Sequence, residues 1–418
     1  MQDKIKANLS DPEMLEKLYR DDRKNFKAAF EKIYPEIENT EPAKFWKARL
    51  EYDYKPELLK KFELAEIAMV IAICLITAFL IKIPDLFQIR LTDIFYFKNA
   101  AIIVFFGLTF YTILIKRISE PGKILVTALA FLVPALYINI LPSDEQSAQV
   151  NLVYIHLPLL MWFIYGAVFA GYDFKNLNSR IDFIRYNGDM AIVYALIAIA
   201  GGLLTAITIG LFDSIGLDIE KFYAENIVIT GAVAAPVVAA YLIEKFPSLV
   251  SKTAPLIAGI FSPLVLITLI IFLITIVATG KDPYNDRDFL LIFNIMLIGV
   301  MAIIIFSVSE TSLIKNQKFS VIVLFALSII TIIIDLIALS AIFYRLGEYG
   351  LTPNRLAVLV SNLLILANLI LIMADLFKIN FKKKEFRIVE MTVSKFLPVY
   401  LTWIIIVVFG FPFIFGMK

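Results

Sequence analysis

The chain has 418 residues, 60% hydrophobic and 18% charged, with a net charge of +2 and a mean hydropathy of +0.81. A soluble domain carries about a quarter charged residues, so that class is excluded. A disulfide framework is excluded by the single cysteine, Cys74, and a multi-histidine metal site by the single histidine, His156. A nucleic-acid surface would need a concentrated basic face, which is missing.

Charge gathers in residues 1–61, which read as a small helical module. They open without a basic-then-apolar leader, so the module is expected in the cytoplasm. Ser10 with Glu13 makes a capping box ahead of Pro12, which suits a first helical turn. Leu15, Leu18, Tyr19, Phe26, Phe30 and Ile33 recur at helical spacing, interrupted at Asp21-Asp22, and Pro35 is expected to stop the run. A second helix starts at Thr40-Glu41-Pro42 and sets Phe45, Trp46 and Leu50 on one side. About 60 residues form a marginal core. The module is therefore expected to dock on the membrane domain or on a cytoplasmic protein partner, using an exposed region of Phe45, Trp46 and Tyr54.

Residues 62–418 are a series of apolar runs, each long enough to cross a hydrocarbon core of ~30 Å at 1.5 Å per residue. The predicted spans are roughly 64–83, 99–115, 124–141, 152–172, 190–212, 227–243, 254–279, 289–309, 321–344, 356–377 and 396–416. The fold class is thus all-α: a polytopic transmembrane helix bundle of about eleven spans, with the lipid bilayer as partner. Lys and Arg favour the loops that an inside N-terminus places inside, above all Lys378, Lys382, Lys383, Lys384, Arg387 and Lys395. The loop between the third and fourth spans, on the opposite side, has none. The expected topology is N-in and C-out, in a bacterial inner membrane.

Span five carries Ala198, Gly202, Ala206 and Gly210 four apart, a spacing that lets helix backbones approach within one chain or between two. Span six repeats it with Gly231, Ala235 and Ala239, around Pro236, and span seven contains Pro263. Kinked spans line many binding sites, although ordinary tight packing explains them as well.

Asp335 lies deep in span nine, with Ser328 and Thr331 on the same face, and Ser361 and Asn368 make a facing stripe in span ten. A carboxylate at that depth costs about 3 kcal/mol to insert, so it should face a cavity or a partner. It serves either as a pathway or proton-relay residue or as a hydrogen-bonded strut. The connection between these spans runs Arg345-Leu346-Gly347-Glu348-Tyr349-Gly350-Leu351-Thr352-Pro353-Asn354-Arg355. Thr352 is a helix cap with Pro353 at the first position. Arg345 and Arg355 either share Glu348 in a salt bridge or, with helix amides, form an anion site.

The pattern Arg-x-x-Glu-Tyr-Gly-x-Thr-Pro-Asn-Arg between two late spans resembles a family of bacterial polytopic membrane proteins classed as domain of unknown function 4153. The resemblance covers this turn and the span layout of the last third of the chain. It implies a multi-pass bacterial membrane protein and assigns no activity.

His156, beside Pro158, reads as a hydrogen-bonded interfacial histidine. Asp282, Asn285, Asp286 and Asp288 lack the spacing and glycine of a calcium loop. There is no phosphate-cradling loop or His-Glu-x-x-His motif, and no second aspartate to make a protease pair. No catalytic residue, cofactor or metal is expected. The leading function is transport of a small solute, with an anion among the classes the basic turn suits, through a site of Asp335, Thr331, Asn368, Arg345, Glu348 and Arg355. A signalling or envelope-assembly protein that recruits a cytoplasmic partner through residues 1–61 is the alternative, and a membrane enzyme on a lipid-linked substrate is the third reading.

Overall fold

The computed structural model describes residues 1–54, 64–87, 92–142, 147–213, 217–247, 253–279, 287–311 and 317–416. The chain divides into two compact units, Met1–Ala68 and Met69–Lys418.

The first unit contains α1 (Gln2–Ala7), α2 (Pro12–Asp21), α3 (Arg23–Ile37) and α4 (Glu41–Tyr54). The cap of α2 is Asp11 rather than Ser10, its carboxylate accepting from the amides of Glu13 and Met14. With Pro12 at the first helical position the cap must fall on residue 11, one place later than the box predicts. Asp22 caps α3, which explains the break at Asp21-Asp22. Pro35 does not stop α3; it lies within the last turn, and the helix runs on to Ile37. Trp46 is buried against Tyr19 and Phe26 and belongs to the core of this unit, so the expected exposed patch reduces to Phe45, which is 63% exposed. The Tyr54 side chain lies outside the described residues.

The second unit is built from long helices: α5 (Leu64–Ile81), α6 (Thr92–Ile115), α7 (Pro121–Ile140), α8 (Ala148–Phe169) and α9 (Leu177–Asp213). They are followed by α10 (Ile229–Lys245), α11 (Thr253–Thr279), α12 (Arg287–Thr311), α13 (Lys318–Tyr349), α14 (Pro353–Lys382) and α15 (Arg387–Ile405). A π turn at Ala224–Val228 leads into α10, and another at Ile406–Gly410 continues α15 to a last turn at Phe411–Ile414. No strand occurs among the described residues. Among the described residues eleven helices are long and apolar enough to cross a membrane, one for each predicted span.

The apolar residues do two jobs. Leu297 and Ile304 of α12, Leu327 and Ile334 of α13, Leu369 and Ile372 of α14 and Val389 of α15 are fully buried in one core. A second core joins Ile138 of α7, Val153 and Met161 of α8 and Ile404 of α15. Equally apolar side chains on other faces are open, such as Ile199 at 70% and Ile274 at 63%. A soluble protein does not display such a belt; lipid-facing helices do.

Several polar groups inside the bundle are paired. Lys98 donates to the Leu141 carbonyl at 2.9 Å, and Asn99 and Asn139 exchange amide hydrogen bonds at 3.1 and 2.8 Å. The Tyr137 hydroxyl donates at 3.0 Å to the Val408 carbonyl, which the second π turn turns outward. Close crossings occur at Gly107, against Thr77 and Val237, and at Gly188, where an added Cβ would lie 2.0 Å from the Phe306 ring. Within the chain the small-residue stripe of α9 makes no such crossing at its described positions, and the surroundings of Gly210 lie outside the described residues. Ala198, Gly202 and Ala206 are exposed, and a Cβ on Gly202 would meet nothing within 4 Å.

Candidate functional site

Helices α13, α14 and α15 bring three polar side chains together near their midpoints. On α13, Ser328, Thr331 and Asp335 share a face and are fully buried. The hydroxyls of Ser328 and Thr331 donate back to the carbonyls of Leu324 and Leu327 at 2.8 and 2.7 Å. Neither carboxylate oxygen of Asp335 receives a hydrogen bond. On α14, Asn368 is buried; its Nδ2 donates to the Tyr400 hydroxyl of α15 at 3.1 Å, and its Oδ1 receives no donor. Helix α14 packs against both α13 and α15, and Asp335, Asn368 and Tyr400 lie at matching heights along the three.

A buried acceptor without a donor costs about 1–3 kcal/mol, more when charged, and three such oxygens occur in this one spot. An apolar core of the same shape would cost nothing of the kind. Such a centre is expected where a bound species completes it.

The turn after α13 is a separate place. Arg345 is ten residues beyond Asp335, about 15 Å along the helix axis, so the structure does not join the basic turn to the buried carboxylate. Thr352 caps α14, its hydroxyl accepting from the Arg355 amide at 3.3 Å. The Arg355 guanidinium donates to the carbonyls of Tyr349 and Gly350 at 2.7 Å each, closing the end of α13. Gly350 has φ +71° and ψ −178°, a conformation essentially restricted to glycine. Arg345 and Arg355 both lie over the Tyr349 ring, 5.9 and 5.4 Å from its centroid. Neither pairs with Glu348, which is exposed, and Arg345 Nη1 is buried without a hydrogen-bond partner. Ser361, the other end of the predicted stripe, accepts from Trp403 Nε1 at 3.0 Å.

No protein-family model, curated protein or solved structure matches this chain. It is a multi-pass helical membrane protein by its own geometry.

One cluster escaped the sequence reading. Arg185 counts there as a loop residue, because span five is taken to begin at 190. In the structure α9 begins at Leu177, so Asp182, Arg185 and Asp189 sit on it one turn apart. Arg185 contacts Asp182 at 3.0 Å, Glu310 of α12 at 3.6 Å and Glu390 of α15 at 3.7 Å, and donates to the Ser309 carbonyl at 2.8 Å. Glu310 is 1% exposed, so this cation ties three helices around a buried acid. The i, i+3 and i+7 spacing of Asp182, Arg185 and Asp189 was the available signal.

His156 Nδ1 lies 2.8 Å from the Leu152 carbonyl, a hydrogen bond within its own helix. Asp282, Asn285 and Asp286 lie outside the described residues, as does the Asp288 side chain. Among the described residues no group of three or more metal-binding side chains assembles.

Proposed function

We propose that this protein is transporter-like, carrying a small solute across a bacterial inner membrane, with the N-terminus inside and the C-terminus outside. The supporting observation is the Asp335–Asn368–Tyr400 centre: fully buried acceptor oxygens without donors, shared by three helices at the middle of the bundle. Binding sites of secondary transporters lie near the bilayer midplane, between packed helices. Arg345, with one nitrogen lacking a partner near the outer end of α13, offers an anionic solute a first contact. Glu348 and Arg355 serve the shape of that mouth, since Arg355 is held by two backbone carbonyls.

The test is charge displacement on solid-supported membranes bearing the reconstituted protein, over a panel of small anions and neutral metabolites. A current present in the wild type and lost in Asp335→Asn supports the reading. Unchanged currents in folded Asp335→Asn would remove Asp335 from the pathway.

A second reading, recruitment of a cytoplasmic protein through residues 1–61, is favoured by an open groove of about 1140 Å³ in the first unit. It is lined by Leu9, Pro12, Phe45 and Trp46, with Arg20 and Arg49 on its rim. Phe45→Glu should abolish function while leaving solute-driven currents intact if this reading is right.

A further inference from the structure

The midplane centre has three acceptor oxygens to which no hydrogen bond is made. Asp335 offers two oxygens and Asn368 one, all buried and none receiving a hydrogen bond. Most hydrogens nearby are engaged: one of the two on Asn368 Nδ2 on Tyr400, and the Ser328 and Thr331 hydroxyls on their own helix. Among the described residues no cation pairs with Asp335. On α13 the charged residues are Lys318, Arg345 and Glu348, each two or more turns away. On α14 the nearest is Asp375, two turns beyond Asn368 and held by Lys378 and Thr392. Helix α11 has no charged residue, α12 has charge only at its ends, and α15 brings Arg387, Glu390 and Lys395, the last exposed. Tyr400 of α15, whose phenol accepts from Asn368, is the titratable group joined to the centre by a hydrogen bond.

An ionised carboxylate in that setting has no counter-charge, and as the side chains stand it receives no hydrogen bond. A carboxylic acid supplies a donor of its own. We propose that Asp335 is a proton-binding site, its O–H completing the unfilled Oδ1 of Asn368, so that the species this centre takes is H⁺. The inference rests on the transporter-like reading and names the coupling ion for it. The step is a simple protonation: water-borne H⁺ adds to one carboxylate oxygen and leaves from it, with no other bond changed. Loss of the proton reverses the demand. The carboxylate then calls for the Asn368 amide hydrogens, the amide turns over, and Tyr400 becomes the donor to Oδ1. Proton release is thereby coupled to the hydrogen bond that joins α14 to α15.

Infrared difference spectroscopy on the full-length protein in lipid, perfused between acidic and alkaline buffers, tests this. The expected result is a carboxylic-acid carbonyl band that disappears on alkalinisation, shifts in D₂O and is absent from Asp335→Asn. Asn368→Ala keeps the carboxyl and should move the band to higher frequency, as a lost hydrogen bond requires; this arm stands even if Asp335→Asn folds poorly. Absence of an Asp335-dependent band at every pH would overturn the proposal. So would loss of the band on adding Na⁺ at constant pH, which would make the centre an alkali-cation site. A normal band together with unchanged solute currents in Asp335→Asn would uphold the proton site while refuting the transport reading.

Discussion

Replacing Arg185 by methionine removes a guanidinium that lies 3.6 Å from the buried Glu310 carboxyl. Glu310 is 1% exposed and 3.6 Å from Arg185 Nε, a separation worth about 4–5 kcal/mol at an effective dielectric constant of ~20. The hydrogen bond to the Ser309 carbonyl at 2.8 Å adds about 1.5–3 kcal/mol as a charged-donor bond. Asp182 is 61% exposed and contributes little. Desolvation of the Arg185 side chain, itself 23% exposed, offsets part of this. The expected net loss is therefore about 3–5 kcal/mol, the range for breaking a buried pair. Equilibrium unfolding in mixed micelles measures it, with Glu310→Gln as the second arm of a double-mutant cycle. Removing both charges should cost less than removing Arg185 alone, because the orphaned carboxylate is gone. A loss under 1 kcal/mol in Arg185→Met, or no recovery in the double variant, would refute the account.

Gly188→Ala should destabilise by about 1–3 kcal/mol as the Phe306 ring gives way, with Phe306→Leu in the same chain restoring most of it on thermal unfolding. Thr352→Ala should cost about 1 kcal/mol and speed amide exchange in the first turn of α14. In the first unit, Arg20 first, and Arg49 with it, holds the Glu16 carboxyl below its usual value. A depressed folded value gives stability that is present above the unfolded value of about 4.3 and is lost as pH falls through the folded one. Glu16→Gln should therefore flatten the acid limb of amide protection in α2–α4, and an unchanged limb would contradict the assignment.

The spans were legible because hydrocarbon thickness sets a length that eleven apolar runs repeat. Their ends were not. Lys98 and Asn99 interrupt the hydropathy of the second span, yet α6 starts at Thr92, because a backbone carbonyl and Asn139 satisfy both side chains. Polar partners supplied by other helices are invisible to a window of local hydropathy. The same reason hid Arg185, whose acids come from α12 and α15. Asp335 stood out as a lone carboxylate in an apolar run. Tyr400 did not, since a tyrosine in a span carries no signal until Asn368 is seen beside it. Pro35 misled because only two residues of α3 follow it, so the one amide hydrogen bond it removes lies at the end of the helix.

Helix α13 has 32 residues, about 48 Å of rise, against a hydrocarbon core of ~30 Å. An element that long either leans strongly or projects into the headgroups, and α14, with 30 residues, is bound to follow it. The depth of Asp335 is then fixed jointly by the helix and by the lipid around it. A thicker bilayer draws this pair upright, and a thinner one lays it down. The chain length of the surrounding lipids thus becomes a mechanical input to the three-helix centre, one that no residue in it encodes.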